Sequence, residues 1–209
     1  MLKVILFDWD GTCHDSVGNI KAAFMYAKEK IGFSATWEDY RLLIGIPTVA
    51  QAVKMHPENP DEFVRNYREF YNKTMECGLF PNTKETLENL KEDFVLCLVT
   101  SKTRNASMKC LKDTELNHIF DHAVCGDDVT KGKPDPEPIL KALEHYKIKP
   151  EEALYVGDSA HDINASKAAG VPVIGVTWGA LYRNEIEKEN PDYIADTWEE
   201  VIEICKNKI

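Results

Sequence analysis

Apolar residues along this chain gather into short continuous runs separated by longer stretches of mixed character. Runs at residues 2–7, 94–99, 122–125, 153–156 and 173–176 are rich in Val, Ile, Leu and Phe, with a weaker one at 193–195. Runs that are apolar at consecutive positions predict strands buried on both faces, not the in-and-out alternation of a half-exposed sheet. Between the later runs, helical patterns of ordinary length occupy residues 104–114, 137–145, 160–169 and 197–206. Strands alternating with helices predict a doubly wound α/β fold, a parallel Rossmann-like sheet with helices on both sides.

Residues 16–81 break the alternation. They carry helical patterns at 17–31, 37–43, 48–55 and 61–77 and little strand signal, punctuated by Gly32, Gly45, Pro47, Pro57 and Pro60. The expectation is an all-helical unit, residues 16–81, inserted after the first strand of an α/β core made of residues 1–15 and 82–209. Two hinge segments, near residues 13–16 and 79–82, would join them. No internal repeat or low-complexity segment is visible.

Composition narrows the class. With 209 residues, 44% of them hydrophobic, the chain can bury a full core. A net charge of −10 argues against a phosphate-tracking surface and so against a nucleic-acid partner. An anionic substrate must then be held by a local cation or a few placed lysines. No apolar stretch approaches the roughly 20 residues that span a bilayer, and the chain enters its first strand with no signal-peptide pattern. A cytoplasmic protein without a membrane partner is expected, as a monomer or weak dimer. The six cysteines show no Cys-x-x-Cys pair and no zinc-ligand spacing, as expected of thiols in a reducing compartment. Cys97 and Cys125 read as core residues. Cys13 reads as apolar filler, the alternative being a partly exposed, oxidation-sensitive thiol.

Ligands of open α/β sheets sit beyond the carboxyl ends of the strands, so the residues after each apolar run carry the chemistry. The first run ends in Asp8-Trp9-Asp10-Gly11-Thr12, followed by Asp15-Ser16. Residues i and i+2 of extended chain point to the same side, so Asp8 and Asp10 can face one point. Two acids at the end of a buried strand are costly unless a cation or a division of labour relieves them, one ionised as nucleophile or ligand and one carrying a proton. After the second run, Thr100, with Ser101 beside it, offers a hydroxyl to a phosphoryl oxygen; the alternative for a Thr there is a helix N-cap, which Ser101 or Thr103 could supply instead. After the third, Pro134 and Pro136 stiffen the chain around Lys133, which makes Lys133 a better placed cation than Lys131. After the fourth comes Gly157-Asp158-Ser159-Ala160-His161-Asp162. Acids gathered with no matching Arg suggest an oxygen-ligand site for Mg²⁺. The stretch 126–133 is no P-loop, because Pro134 follows Gly132-Lys133 where Ser or Thr is required. His161 has no second His beside it and reads as a partly exposed imidazole.

Asp8-Trp9-Asp10-Gly11-Thr12, the Thr100 hydroxyl, Lys133-Pro134 and Gly157-Asp158-Ser159-x-x-Asp162 together resemble the four motifs of the haloacid dehalogenase-like hydrolases, in order and over the whole chain. The helical insert resembles the small cap of the phosphoglycolate phosphatase, pyrophosphatase and β-phosphoglucomutase branch. The resemblance implies a Mg²⁺-dependent phosphatase acting on a small phosphorylated metabolite. Asp8 would be the nucleophile that forms an aspartyl phosphate and Asp10 the acid/base. Thr100, Ser101 and Lys133 would bind the phosphoryl group. The Mg²⁺ site would comprise Asp8, Asp10 through its backbone carbonyl, Asp158 and Asp162. Asp10 separates the chain from dehalogenases, whose halide needs no proton on leaving. Ile20, where the mutase keeps a histidine, and the missing Arg near Thr48 count against β-phosphoglucomutase. The segment 43–47 and the stretch 127–140 look most like phosphoglycolate phosphatases, with pyrophosphatases next. Cys13 stands where these families usually carry an aliphatic residue. Arg41, Thr48 and Lys54 are the cap residues expected to choose the leaving group. The competing readings are a silent binding protein on the same fold and a phospho-Asp receiver. A receiver is shorter and lacks the helical insert.

Overall fold

The computed structural model describes residues 1–56, 58–74 and 78–207. The six apolar runs are strands: β1 (Val4–Phe7), β2 (Val95–Val99), β3 (His122–Val124), β4 (Ala153–Gly157), β5 (Val173–Val176) and β6 (Tyr193–Ala195). They form one parallel sheet in the order β3-β2-β1-β4-β5-β6. The order reverses beside β1, which places its carboxyl end at the crevice where doubly wound sheets hold ligands. Phe7 is level with Leu98 of β2 and Val156 of β4, so the residues that follow these strands come together at one edge.

β1 is apolar throughout because both of its faces are covered. Ile5 and Phe7 enter one core cluster with Leu87, Leu90 and Trp198, while Val4 and Leu6 enter the other with Ile139 and Ile163. This is the period of two expected of a strand. Each such side chain contributes about 1.5–3 kcal/mol by leaving water.

Between β1 and β2 the chain forms α1 (Val17–Ile31), α2 (Trp37–Arg41), α3 (Thr48–Met55), α4 (Pro60–Thr74) and α5 (Thr83–Asp93). The remaining helices are α6 (Arg104–Asp113), α7 (Glu137–Tyr146), α8 (Ala160–Ala169), α9 (Arg183–Lys188) and α10 (Trp198–Lys206). The first core cluster draws on α5, α6 and α10, and the second on α7, α8 and α9, so helices cover both faces of the sheet. Neither α5 nor α9 stands out in the sequence pattern. α5 fills two of its four buried positions with Thr83 and Thr86, and α9 buries only Ile186. The part of the expected 61–77 helix at residues 75–77, Cys77 included, lies outside the described residues, as does Pro57.

α1 to α4 share a core of their own. α1 buries Ile20, Ala23, Phe24 and Ala27, a helical stripe. Phe24 stacks on Tyr40 with centroids 4.5 Å apart, and the Tyr40 hydroxyl donates to Gln51 at 2.5 Å. The chain enters and leaves this helical layer through neighbouring segments: the Asp15 N–H donates to the Gly78 carbonyl and the Phe80 N–H to the Cys13 carbonyl. Cys13, Cys97, Cys110, Cys125 and Cys205 are buried. Cys13 packs beside Trp9 with no exposed surface, and burial pushes its thiol pKa well up, so it is filler and not a reactive thiol. Among the described residues no helix is long and apolar enough to cross a membrane.

Candidate active site

Asp8 is the first residue past β1, and its N–H donates to the Val156 carbonyl at 3.0 Å, which extends the ladder of the sheet by one bond. Its carboxylate is buried and lies 2.9 Å from Lys133 Nζ. Lys133, not Lys131, is the lysine the fold brings to Asp8: the Lys133 side chain is 1% exposed and that of Lys131 72%. The Lys133–Pro134 peptide bond is cis. Lys133 Nζ also donates to Asp162 Oδ1 at 2.5 Å and to the Tyr155 hydroxyl at 3.2 Å.

Asp158 follows β4, and both of its oxygens are held. Oδ1 accepts from Thr12 Oγ1 at 2.9 Å, and Oδ2 accepts from the Ala180 N–H at 2.7 Å. Gly11 has φ +85°, and a Cβ there would sit 2.2 Å from Asp158 Oδ2, so both its backbone and its surroundings require glycine. Asp162 stands in the first turn of α8. Its Oδ2 accepts from the N–H and hydroxyl of Ser159, which caps the helix, and its Oδ1 accepts from Lys133 and Tyr155.

Asp8, Asp158 and Asp162 offer oxygens within 4.8 Å of one another. Three carboxylates against one ammonium leave two negative charges in a buried space. Each Asp162 oxygen already accepts two hydrogen bonds, so Asp8 and Asp158 keep the free lone pairs. Hard oxygen donors with an uncompensated double charge fit a divalent cation such as Mg²⁺.

The titration of the acids reports the same imbalance. Burial and then Asp162 raise the Asp8 carboxyl well above the ordinary carboxylate range, with Lys133 opposing. Burial and Asp162 push Asp158 up to about 7, against the Ala180 N–H and Thr12, which pull it down. Burial alone would lower Lys133, but Asp162 and Asp8 outweigh it and hold the ammonium above its usual range. Between the ordinary carboxyl range and about pH 7 the metal-free folded chain therefore holds a proton on Asp158 that the unfolded chain has released. Stability without a divalent cation should fall as pH rises from 5 to 8, and Mg²⁺ should stabilise the chain more at pH 8 than at pH 6. Thermal unfolding at both pH values, with and without Mg²⁺, measures this.

Asp10 is tied differently. Lys102 Nζ lies 2.8 and 2.7 Å from its two oxygens, and His14 Nδ1 lies 3.0 Å from Oδ1. Burial opposes ionisation, yet Lys102 and His14 overcome it and hold the carboxyl well below the usual range. Lys102 also donates to the Tyr71 hydroxyl of α4 at 3.0 Å, so it joins the acid to the helical layer.

A cavity of about 500 Å³ opens between the sheet edge and the helical layer. Asp8, Asp10, Thr100 and Lys102 line its floor, and Thr48, Tyr67, Arg68, Tyr71 and Asn72 line its roof. Ser101 also lines it, but its hydroxyl donates to the Gly45 carbonyl at 2.6 Å. Thr48 faces the cavity, as a residue touching a leaving group must. Lys54 is exposed and does not line it. Arg41 does not line it either: its guanidinium is buried against Glu185 and the Ala180 carbonyl. Lys102 and the α4 residues escape a reading of the sequence. The one signal for them is the spacing of Tyr67 with Tyr71 and of Arg68 with Asn72, which puts each pair on one helix face.

The chain is similar over nearly its whole length to known proteins. Residues 5–176 match the family model described as haloacid dehalogenase-like hydrolase. The chain is 34% identical to the pyrophosphatase PpaX of Anoxybacillus flavithermus, covering 97% of this chain and 96% of that one. It is 33% identical to a phosphoglycolate phosphatase of Vibrio vulnificus, with 97% and 96% covered. Its fold superimposes on a haloacid dehalogenase-like family hydrolase from Streptococcus pneumoniae with a TM-score of 0.85, at 28% identity and with 97% and 98% covered.

Proposed function

The chain belongs to the haloacid dehalogenase-like hydrolases and is a phosphatase, and from that premise we propose that it hydrolyses small phosphorylated metabolites with an anionic leaving group, through a phosphoryl-enzyme on Asp8. 2-Phosphoglycolate is the leading substrate. The observation that carries the proposal is the meeting of Asp8, Lys133 and Asp158 at one sheet edge, with Asp10 beside them and cationic Lys102 and Arg68 around the cavity.

In the proposed reaction an Asp8 oxygen attacks phosphorus in line as the bond to the leaving oxygen breaks, and Asp10 gives that oxygen a proton. Asp10 then takes a proton from water, which attacks phosphorus and frees Asp8. Lys133 and the Thr100 hydroxyl hold phosphoryl oxygens as charge develops. Bound by Asp8, the Asp10 carbonyl and Asp158, with Asp162 in support, Mg²⁺ would neutralise the phosphoryl oxygens and keep Asp8 ionised. Residues 16–81 would serve as a cap that opens to admit substrate and closes to exclude water. The buried thiols support a reducing, cytoplasmic setting.

One contact favours a second reading, inorganic pyrophosphate. Asp10 is held ionised by Lys102, ready to act as base but needing a proton before it can act as acid. Phosphate departs as a stabilised anion and depends on that proton far less than an alkoxide does. Phosphate release over a panel of 2-phosphoglycolate, pyrophosphate, a sugar phosphate, a nucleotide and a phosphomonoester of a neutral alcohol tests both readings. Substrates with an anionic leaving group should lead, and EDTA should abolish release. Arg68→Ala should raise KM for the anionic group about tenfold, the worth of one charged contact, and leave the neutral ester unchanged. Equal turnover of the neutral ester would contradict the substrate class.

A further inference from the structure

We propose that Arg41 is a positioning residue: by gripping the Ala180 carbonyl it makes closure of the helical layer set the orientation of the Asp158 carboxylate. The inference rests on the reading of Asp158 as a Mg²⁺ ligand. Arg41 ends α2, and its side chain is 6% exposed. Its Nη1 donates to the Ala180 carbonyl at 2.9 Å, and its two terminal nitrogens fork onto Glu185 at 2.7 and 2.8 Å. Nε donates to Glu38 at 3.0 Å, and the Tyr182 ring stacks 4.3 Å from the guanidinium carbon. Every direction in which this guanidinium can donate is used on the core or on its own helix, and none points into the cavity.

Ala180 is the junction. Its carbonyl accepts from Arg41, while its N–H donates to Asp158 Oδ2 at 2.7 Å. A shift of this one residue therefore moves both bonds. The loop that carries it has no slack against Asp158: a Cβ on Gly179 would lie 2.3 Å from Asp158 Oδ2 and equally close to the Gly11 carbonyl. The other Asp158 oxygen depends on the same loop, because Trp178 Nε1 donates to the Thr12 carbonyl at 3.0 Å and the Thr12 hydroxyl donates to Oδ1 at 2.9 Å. Residues 178–180 thus hold one Asp158 oxygen directly and reach the other through Thr12.

Two further contacts dock the same stretch of the helical layer. His161 Nε2 lies 3.2 Å from the Leu42 carbonyl, and Ser101 Oγ donates to the Gly45 carbonyl at 2.6 Å. Of the three, only the Arg41 contact ends on the residue whose N–H holds Asp158. A planar fork can satisfy a carboxylate and a carbonyl together in one geometry, which a lysine ammonium cannot reproduce. A buried ion pair contributes little net stability but fixes register. Arg41 is therefore suited to specifying where the loop sits when the helical layer is closed.

The test titrates Mg²⁺ alone, without substrate, into the full-length wild type, Arg41→Lys and Glu185→Gln by calorimetry, alongside steady-state kinetics and amide exchange. Glu185→Gln keeps an acceptor for the Tyr182 N–H that it caps, so α9 remains anchored. Arg41→Lys should weaken Mg²⁺ binding about tenfold, the size of effect seen when partners of metal ligands are removed. Its kcat should fall while KM for the phosphorylated substrate holds, and the Ala180 amide should exchange faster. Glu185→Gln should fall between it and the wild type. Unchanged Mg²⁺ affinity in both variants, against saturable binding by the wild type, would overturn the inference alone. A wild type that binds no Mg²⁺ would overturn the metal assignment and the inference with it.

Discussion

Asp8→Asn is expected to lower phosphate release by about four orders of magnitude or more, as removal of a nucleophile does when the rest of the site is intact. The substitution keeps the shape of a side chain that is buried at the end of β1, and it leaves the backbone bond to Val156 in place. It takes one charge from a group in which three acids share a single lysine. Burial and Asp162 already oppose ionisation of Asp8, so the neutral amide should fold at least as stably as the carboxylate. Loss of activity with an unchanged or higher unfolding temperature separates a missing nucleophile from a misfolded chain. Steady-state rates and thermal unfolding of the same preparation make the comparison.

Lys133→Met should act on folding and chemistry together. Methionine fills the space of the aliphatic stem, but it leaves Asp8 and Asp162 facing each other without the ammonium that lies 2.9 and 2.5 Å from them. Removing one partner of a buried ion pair costs about 3–5 kcal/mol. Asp8 can relieve part of that cost by taking up a proton, since its carboxyl is already raised by burial and Asp162 and would lose the ammonium that opposes them. The folded variant then holds a proton that its unfolded chain has released, and its stability falls as pH rises. Denaturant unfolding at pH 5.5 and pH 8 should therefore show a larger deficit against wild type at pH 8. Turnover should fall at both, since the cation proposed to hold the phosphoryl oxygens is gone. A variant as stable as wild type at pH 8 would mean that Lys133 does not neutralise these acids.

The sheet is legible in the sequence because β1, β4 and β5 are buried on both faces, and such strands cannot be written with polar residues. Much of the site follows from it, since Asp8 and Thr100 come directly after an apolar run and Asp158 one residue further on. What is not legible is set by partners distant in the chain. Arg41 invites a substrate-facing reading until Glu185 and Ala180, 144 and 139 residues away, are seen to occupy it. Lys102 follows two hydroxyl residues that claim attention, and only the folded chain brings it to Asp10, 92 residues earlier. Thr12 looks like turn chemistry beside Gly11 until its hydroxyl meets Asp158. α5 stays hidden because Thr83 and Thr86 interrupt its apolar stripe, the Thr83 hydroxyl being taken up by the Trp198 indole N–H at 3.1 Å.

The central claim is that phosphorus becomes covalently attached to Asp8 during turnover. Reaction of the wild-type protein with Mg²⁺ and its best substrate, quenched in the steady state and reduced with borohydride, converts an aspartyl phosphate to homoserine, which peptide mass spectrometry can locate. Homoserine at position 8, dependent on substrate and absent from Asp8→Asn, is the predicted result. Rapid turnover with no homoserine at position 8, or with the label on another carboxylate, would contradict it.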